Sequence, residues 1–200
     1  MPCAHPRRGD AAGRARGADA RRDGTSAEGT PMTPTTSEAA LDVTATIQPH
    51  WARHGEQMDD LTIPYLGPER TGWQYPFASL ARSGARLAGG SDWSVSTANV
   101  LEEIHVAVNR SLPEQGVDPP PFLPHEALGL DTALRAFTAG SAHVNHLDAE
   151  TATVALGKLA DLVILDRDVR VADPSTLREA RVLATLVEGE PVFAAEGYGW

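Results

Sequence analysis

The chain has 200 residues, of which 42% are hydrophobic and 22% charged, and its formal net charge at pH 7 is −10. No apolar run approaches the roughly 20 residues that a membrane-spanning helix needs, so the composition excludes such a helix. The single cysteine, Cys3, cannot form an internal disulfide, and the N-terminus lacks the apolar core of a secretory signal. We therefore predict a cytoplasmic protein with no membrane partner.

Residues 1–36 differ in composition from the rest of the chain. They are rich in Arg, Ala, Gly, Asp and Thr and show no hydrophobic period, which predicts a disordered tail. Their arginines are interspersed with acidic residues and no aromatic residue accompanies them, so we expect no binding to nucleic acid. Two interpretations stay open, a genuine tail and an extended reading frame whose natural start is Met32.

The first candidate elements follow this tail. The segment from Asp42 to Gln48 is a candidate strand, and the segment from Pro76 to Gly84 predicts a short helix that ends at glycine. Between the two, prolines and glycines punctuate the chain and predict a broken, irregular stretch. They stand at positions Pro64, Gly67, Pro68 and Gly72.

A carboxylate follows the second candidate strand. The small apolar run that starts at Ala85 predicts a short buried strand, and two glycines allow a close approach of backbone or ligand just before Asp92. The segment from Asn99 to Arg110 then predicts a helix with one apolar face. Asp92 therefore lies in a strand-to-helix loop, where parallel α/β folds and (β/α)8 barrels hold catalytic groups. A cap or turn role is the competing interpretation, because Asp is common in both.

The C-terminal part of the chain carries two further patterns. Asp131 to Ala142 precedes a run, Gly157 to Asp166, that reads Gly-Lys-Leu-Ala-Asp-Leu-Val-Ile-Leu-Asp and contains a candidate strand from Asp161 to Leu165. The segment from Val182 to Ala194 predicts a hairpin that turns at Glu188 to Glu190.

These segments resemble the C-terminal part of the amidohydrolase superfamily, specifically the amidohydrolase family 3 branch with its N-substituted formamide deformylase-like enzymes. The run from Gly157 to Asp166 is the most specific element, since in that superfamily it marks the return of the chain from the barrel into a small β-sandwich. Gln48-Pro49, Leu66 to Arg70, and Gly90 to Trp93 match the same branch in the same order. The resemblance covers residues 37–200.

The fold that the resemblance implies is α/β, the C-terminal part of a metal-dependent hydrolase (β/α)8 barrel plus part of a small β-sandwich. Residues 37–155 would form the last two βα units, with Asp42–Gln48 as the seventh strand and Ala85–Ala88 as the eighth. Residues 156–200 would supply the sandwich strands. Gly140 stands where the family commonly has Asn, and this departure is expected to loosen the crossing from barrel to sandwich.

The resemblance also implies a site. In the superfamily, the acid at the end of the eighth strand ligates a divalent metal and handles the proton of the attacking water, so Asp92 is the expected catalytic and metal-binding residue. His50 and Arg70 are the expected substrate-binding residues at the same rim. His143 and His146 are three residues apart, but a packed or solvated role is expected for both. The implied reaction is hydrolysis of a non-peptide carbon–nitrogen bond in a small amide or formamide, with zinc as the expected metal.

Part of the family pattern is missing. The chain has no His-x-His pair, and a barrel of this type takes about 250 residues before any sandwich is added. We therefore expect a fragment that does not hold a metal tightly by itself and that self-associates or needs a complementing chain. The alternative is a non-catalytic remnant or an assembly module that needs another chain.

The composition of the tail generates a test. Because residues 1–36 have no apolar period, limited proteolysis should remove them first, and a chain that starts at Met32 should unfold with the same free energy within about 1 kcal/mol. Chemical denaturation of both chains measures this difference. A larger loss of stability on truncation would show that the tail packs against the folded part.

Overall fold

The structure, a computed structural model, describes residues 41–112 and 120–199, so the predicted tail lies outside the described residues. The strands in this part are β1 (Thr44–Ile47), β2 (Arg86–Gly89), β3 (Leu162–Leu165), β4 (Val182–Val187) and β5 (Glu190–Ala194). The helices are α1 (Glu56–Asp59), α2 (Ile63–Thr71), α3 (Phe77–Arg82), α4 (Val100–Asn109), α5 (Leu130–Arg135) and α6 (Ser141–Val144). A π-helical turn (Ala136–Gly140) joins α5 to α6, and short 3-10 turns lie at Pro49–Trp51, Pro124–Glu126 and Pro174–Glu179.

The first two strands form a parallel pair. Thr44 pairs with Arg86 and Ile47 pairs with Gly89, and the N–H of Gly90 extends the ladder by donating to the Ile47 carbonyl oxygen at 2.9 Å. Strand β1 falls within the predicted segment Asp42–Gln48, and β2 is shifted by one residue from the predicted Ala85–Ala88. Because the strands run in the same direction, their carboxyl ends meet at one edge, and the 3-10 turn after β1 lies beside the loop after β2.

The last three strands form an antiparallel sheet in the order β3-β4-β5. Leu162 pairs with Leu186, and Val187 pairs with Glu190 across the hairpin turn. Glu188 and Gly189 both have positive φ, +53° and +86°, which is the geometry of the two-residue turns that join antiparallel strands. The predicted hairpin is therefore present, with its turn at Glu188–Gly189. None of the helices in the described ranges is long and apolar enough to cross a membrane.

Helix α4 occupies the centre of the core. Its buried Ile104, Val106 and Ala107 pack in one cluster with Ile47 of β1 and Leu87 of β2. Asn99 caps the helix, since its side chain accepts a hydrogen bond from the N–H of Leu101. This packing fixes the helix under the edge where both parallel strands end.

The stretch after β1 is broken at a glycine, as the sequence predicts. Residues 63–71, named α2, consist of two short helical pieces. Gly67 separates them, with a φ of +74° and a ψ of 167°, and Pro68 follows it directly.

Gly140 permits a close backbone contact, whereas the sequence analysis expects glycine at this position to loosen the crossing from barrel to sandwich. A Cβ atom at this position would overlap the backbone carbonyl of Leu87, so the π-helical turn touches the backbone of β2 directly. On the same strand, a Cβ on Gly89 would lie 2.6 Å from the Phe137 ring. The hydroxyl of Ser141 completes the contact by donating to the Gly89 carbonyl oxygen at 2.7 Å. The missing side chain is therefore what permits this close approach.

The close approach predicts a large effect of one methyl group. Gly140→Ala should lower the free energy of unfolding by about 2 kcal/mol or more, because backbone must move to make room. Gly129→Ala is the matched control, since a Cβ there meets no atom within 4 Å. It should change the free energy by less than about 0.5 kcal/mol in the same urea titration. Equal effects of the two substitutions would contradict this packing.

Candidate functional site

Asp92 lies in the loop that follows β2, and its side chain is exposed. Its φ is +59°, in the left-handed region that Asp tolerates better than most residues. Its carbonyl oxygen accepts hydrogen bonds from the N–H groups of Val95 at 2.7 Å and Ser96 at 3.2 Å. These bonds close a tight turn that presents the carboxylate at the carboxyl edge of the parallel strands.

A buried carboxylate, Glu103 of α4, joins the ends of both strands. It accepts a hydrogen bond from the backbone N–H of His50, just after β1, at 2.7 Å. It also accepts one from the hydroxyl of Ser96, in the loop after β2, at 3.2 Å. The Ser96 hydroxyl contacts the Ser91 carbonyl oxygen as well, which ties it to the Asp92 turn. Glu103 thus connects the turn that carries Asp92 with the segment that carries His50.

The environment of Glu103 favours its neutral form. Burial raises the pKa of its carboxyl to about 7, against the hydrogen bonds from His50 and Ser96, which lower it. The negative charges of Glu102 and Asp92 raise this pKa further. The Glu103 carboxyl therefore gains and loses its proton near neutral pH.

His50 is half-buried, and its backbone N–H is the one that donates to Glu103. Its Nε2 lies 3.1 Å from the Arg53 guanidinium, which can only donate, so the neutral ring carries its proton on Nδ1. That Nδ1 lies 3.4 Å from a carboxylate oxygen of Glu102. Burial, and to a smaller extent the Arg53 charge, lower the pKa of His50 below its ordinary value, while Glu102 opposes them. The ring is thus neutral at pH 7, and it lies just after β1. Its substrate-binding role stays a prediction.

Arg70 lies near the end of α2 and is exposed. Its guanidinium donates to the carbonyl oxygens of Leu66 at 2.8 Å and Tyr65 at 3.2 Å. The side chain is therefore folded back on its own helix. Its substrate-binding role stays a prediction from the sequence.

The described residues do not assemble a metal centre. Within residues 41–112 and 120–199, no group of three or more His, Cys, Asp or Glu side chains could hold a metal ion. The ring of His143 contacts Asp148 at 3.2 Å and the Arg86 guanidinium at 2.5 Å. A catalytic zinc usually needs three protein ligands, so Asp92 alone does not fit a complete site.

The sequence analysis missed Glu103, although a signal for it exists. Position 103 is three residues after Val100 and four before Ala107, so it shares their apolar face. A charged residue on the buried stripe of a helix needs a partner, and the strand-end loops are the nearest candidates. The same reasoning finds Arg110, which is fully buried at the end of α4 and donates to the Phe122 carbonyl oxygen at 2.8 Å.

The sequence matches the profile of the Amidohydrolase family over residues 4–193. N-substituted formamide deformylase of Arthrobacter pascens is 34% identical over 115 residues, which cover 58% of this chain and 20% of that protein. Protein LONG AFTER FAR-RED 3 of Arabidopsis thaliana is 36% identical over 157 residues, which cover 76% of this chain and 25% of that protein.

A solved structure shows the same fold. An uncharacterized metal-dependent hydrolase from Pyrococcus horikoshii superposes with a TM-score of 0.55 and 29% identity, over 67% of this chain and 26% of that one. The chain thus spans a fifth to about a quarter of the length of these relatives.

The raised pKa of Glu103 predicts a pH dependence of stability. Between its ordinary value of 4.5 and its folded value of about 7, the folded protein holds this proton while the unfolded chain has released it. The contribution of Glu103 to the free energy of unfolding therefore falls as the pH rises through that window. Above pH 7 the folded protein is destabilised by the full cost of burying the charged carboxylate. Glu103→Gln should remove this contribution, so its stability relative to the parent protein should rise by about 2 to 3 kcal/mol from pH 4.5 to pH 8.

Urea denaturation of both proteins across this pH range measures the difference. Glu69→Gln is the control, because Glu69 is exposed on α2 and its removal should leave the parent profile. Parallel profiles for Glu103→Gln and the parent protein would show that Glu103 does not exchange a proton near neutral pH.

Proposed function

This chain belongs to the Amidohydrolase family, and from that premise we propose that it takes part in the hydrolysis of a carbon–nitrogen bond, other than a peptide bond, in a small amide or formamide. The similarity to an N-substituted formamide deformylase and to a metal-dependent hydrolase supports the proposal. The chain spans only part of these relatives, so the proposal concerns what its own residues contribute to such a site.

The observation that carries the proposal is the placement of Asp92. Asp92 follows the carboxyl end of a parallel strand, and enzymes with (β/α)8 barrels hold their catalytic groups at that end of the strands. The bonds from Ser96, and through it to Glu103, hold this turn in one arrangement. These bonds fix the backbone that carries Asp92 and leave its exposed carboxylate accessible for proton transfer, which needs a group within hydrogen-bond reach of the reacting atoms.

In this proposal Asp92 takes a proton from the attacking water. The water oxygen forms a bond to the carbonyl carbon, the carbon–nitrogen bond breaks, and Asp92 returns the proton to the departing nitrogen. The products are a carboxylic acid and an amine. His50 and Arg70 remain the proposed substrate-binding residues.

The metal belongs to the proposal as well. In the family a divalent metal, zinc by expectation, polarises the carbonyl and the water when it is bound. Asp92 is proposed as one of its ligands. The described residues do not supply the others, so no step is assigned to the metal here.

The antiparallel sheet favours a second candidate function, assembly with another polypeptide. Val163 is 57% exposed and Phe193 is 48% exposed, and both stand opposite Thr185 on one face of the sheet. An uncovered apolar face of this kind is typical of a contact surface. We propose that the occupant is a polypeptide that supplies further strands and metal ligands, which would complete both the sheet and the site.

A chimera tests the function. Residues 41–200 replace the corresponding C-terminal part of the Arthrobacter enzyme, with which 115 residues of this chain align, and release of the amine from an N-substituted formamide is measured. The chimera should be active, and Asp92→Asn should lower kcat by about 1,000-fold or more without changing the melting temperature, because it removes the proton acceptor. Asp60→Asn, which neutralises an exposed carboxylate after α1, should leave kcat unchanged.

Two outcomes would overturn the proposal. A folded chimera without activity would show that this chain does not complete a hydrolase site. An active chimera in which Asp92→Asn keeps near-parent turnover would remove Asp92 from the chemistry.

A further inference from the structure

A cavity opens beside the edge where β1 ends. It has a volume of about 300 Å³, which is the lower end of the range for small-molecule sites. Its lining mixes aromatic and polar side chains from the 3-10 turn after β1, from α1 and from the segment before α3. They include Trp51, Arg53, His54, Thr62 and Tyr75.

Arg53 is the one guanidinium in the lining of this cavity, and its hydrogen bonds are incomplete. One Nη donates to the His54 carbonyl oxygen at 3.1 Å and the other to the ring of His50 at 3.1 Å. A guanidinium has five N–H groups, so three remain. The Nε of Arg53 is buried and has no hydrogen-bond partner among the described residues.

The charge of Arg53 is also uncompensated. Among the described residues, no carboxylate oxygen lies within 4.0 Å of its guanidinium nitrogens. The carboxylate of Asp59 is held by His54, whose Nδ1 lies 2.6 Å away. Glu56 also lines the cavity, but it is exposed on α1 and forms no ion pair with Arg53. A half-buried cation without an acidic partner is costly, and an anionic ligand would remove that cost.

The neighbours of Arg53 suit an anion of modest size. His50 accepts a hydrogen bond from Arg53 and is neutral, so it occupies one guanidinium N–H group without compensating the Arg53 charge. Burial raises the pKa of Tyr75, so its phenol stays protonated and can donate a hydrogen bond. Trp51 and Tyr75 add apolar surface next to these donors. A planar carboxylate matches the fork of a guanidinium better than a single-point anion does.

We propose that this cavity binds the carboxylate of a small ligand through Arg53, so that the substrates of this chain are amides or formamides that carry a carboxylate. The identity of the substrate rests on the proposed hydrolase function, but the binding of the carboxylate does not. The cavity and Asp92 follow neighbouring parallel strands, and Glu103 bonds both segments. The cavity and Asp92 therefore both lie beyond the carboxyl ends of the parallel pair.

Equilibrium dialysis tests the proposal on the full 200-residue chain. The probes are N-formylglycine, which carries a carboxylate, and N-formylglycinamide, which has the same size and no charge. The acid should bind saturably, and the amide should bind at least about tenfold more weakly, because it loses a charge-assisted hydrogen-bond pair. Formate release is followed in the same samples, so a failure of hydrolysis is seen separately from a failure of binding.

Substitutions identify the residue. Arg53→Gln should weaken binding of N-formylglycine at least about tenfold, and Arg53→Lys should give an intermediate loss, since it keeps the charge without the planar fork. Arg135→Gln removes one exposed positive charge from α5 and should keep parent affinity. The proposal is overturned if the parent chain shows no saturable binding, if the acid and the amide bind equally, or if Arg53→Gln binds like Arg135→Gln. The comparison of acid and amide uses the parent chain and so holds even if a variant does not fold.

Discussion

One buried carboxylate, Glu103, connects the two segments that follow the parallel strands. Glu103 accepts a hydrogen bond from the backbone of the segment after β1 and another from a hydroxyl in the loop after β2. The parallel register brings the two strand ends to one edge, but it does not fix the loops beyond them. That task falls to α4, which is itself anchored in the core by Ile104, Val106 and Ala107.

The far end of α4 is fixed by an opposite charge. Arg110 is fully buried, donates to backbone carbonyls of Tyr75 and Phe122, and lies over the rings of Phe77 and Phe122. Burial lowers its pKa to about 10, so the guanidinium remains charged at neutral pH. The helix thus carries a carboxylate near its start and a guanidinium at its end, and each bonds the backbone of a different loop. Such bonds give a buried charge its partners without requiring an ion pair.

Local patterns in the sequence predict the helices and strands well, but they predict the contacts between these elements poorly. The strands around Thr44–Ile47 and Arg86–Gly89, helix α4 and the hairpin at Glu188–Gly189 follow from apolar period, caps and turn residues, and the position of Asp92 follows from them. Glu103 and Gly140 could not be assigned in the same way, because their roles depend on residues 7 to 53 positions away that only the fold brings near. Arg53 shows the same limit, since a guanidinium without a carboxylate partner is a property of its surroundings. The sequence shows that Gly140 departs from the family pattern, but it does not show that the missing side chain permits a closer backbone contact.

The contact between β2 and the π-helical turn ties two parts of the molecule into one mechanical unit. Gly140 touches the backbone at Leu87, and Ser141 bonds the carbonyl of Gly89, so neither side can slide without steric overlap or a broken hydrogen bond. Side chains that adjust their rotamers absorb small shifts elsewhere in a core, but backbone against backbone leaves nothing to adjust. A groove of about 520 Å³ borders this turn. Strand β2, which this contact braces, ends at Gly89, three residues before Asp92, so the contact also limits how far the start of the Asp92 loop can move.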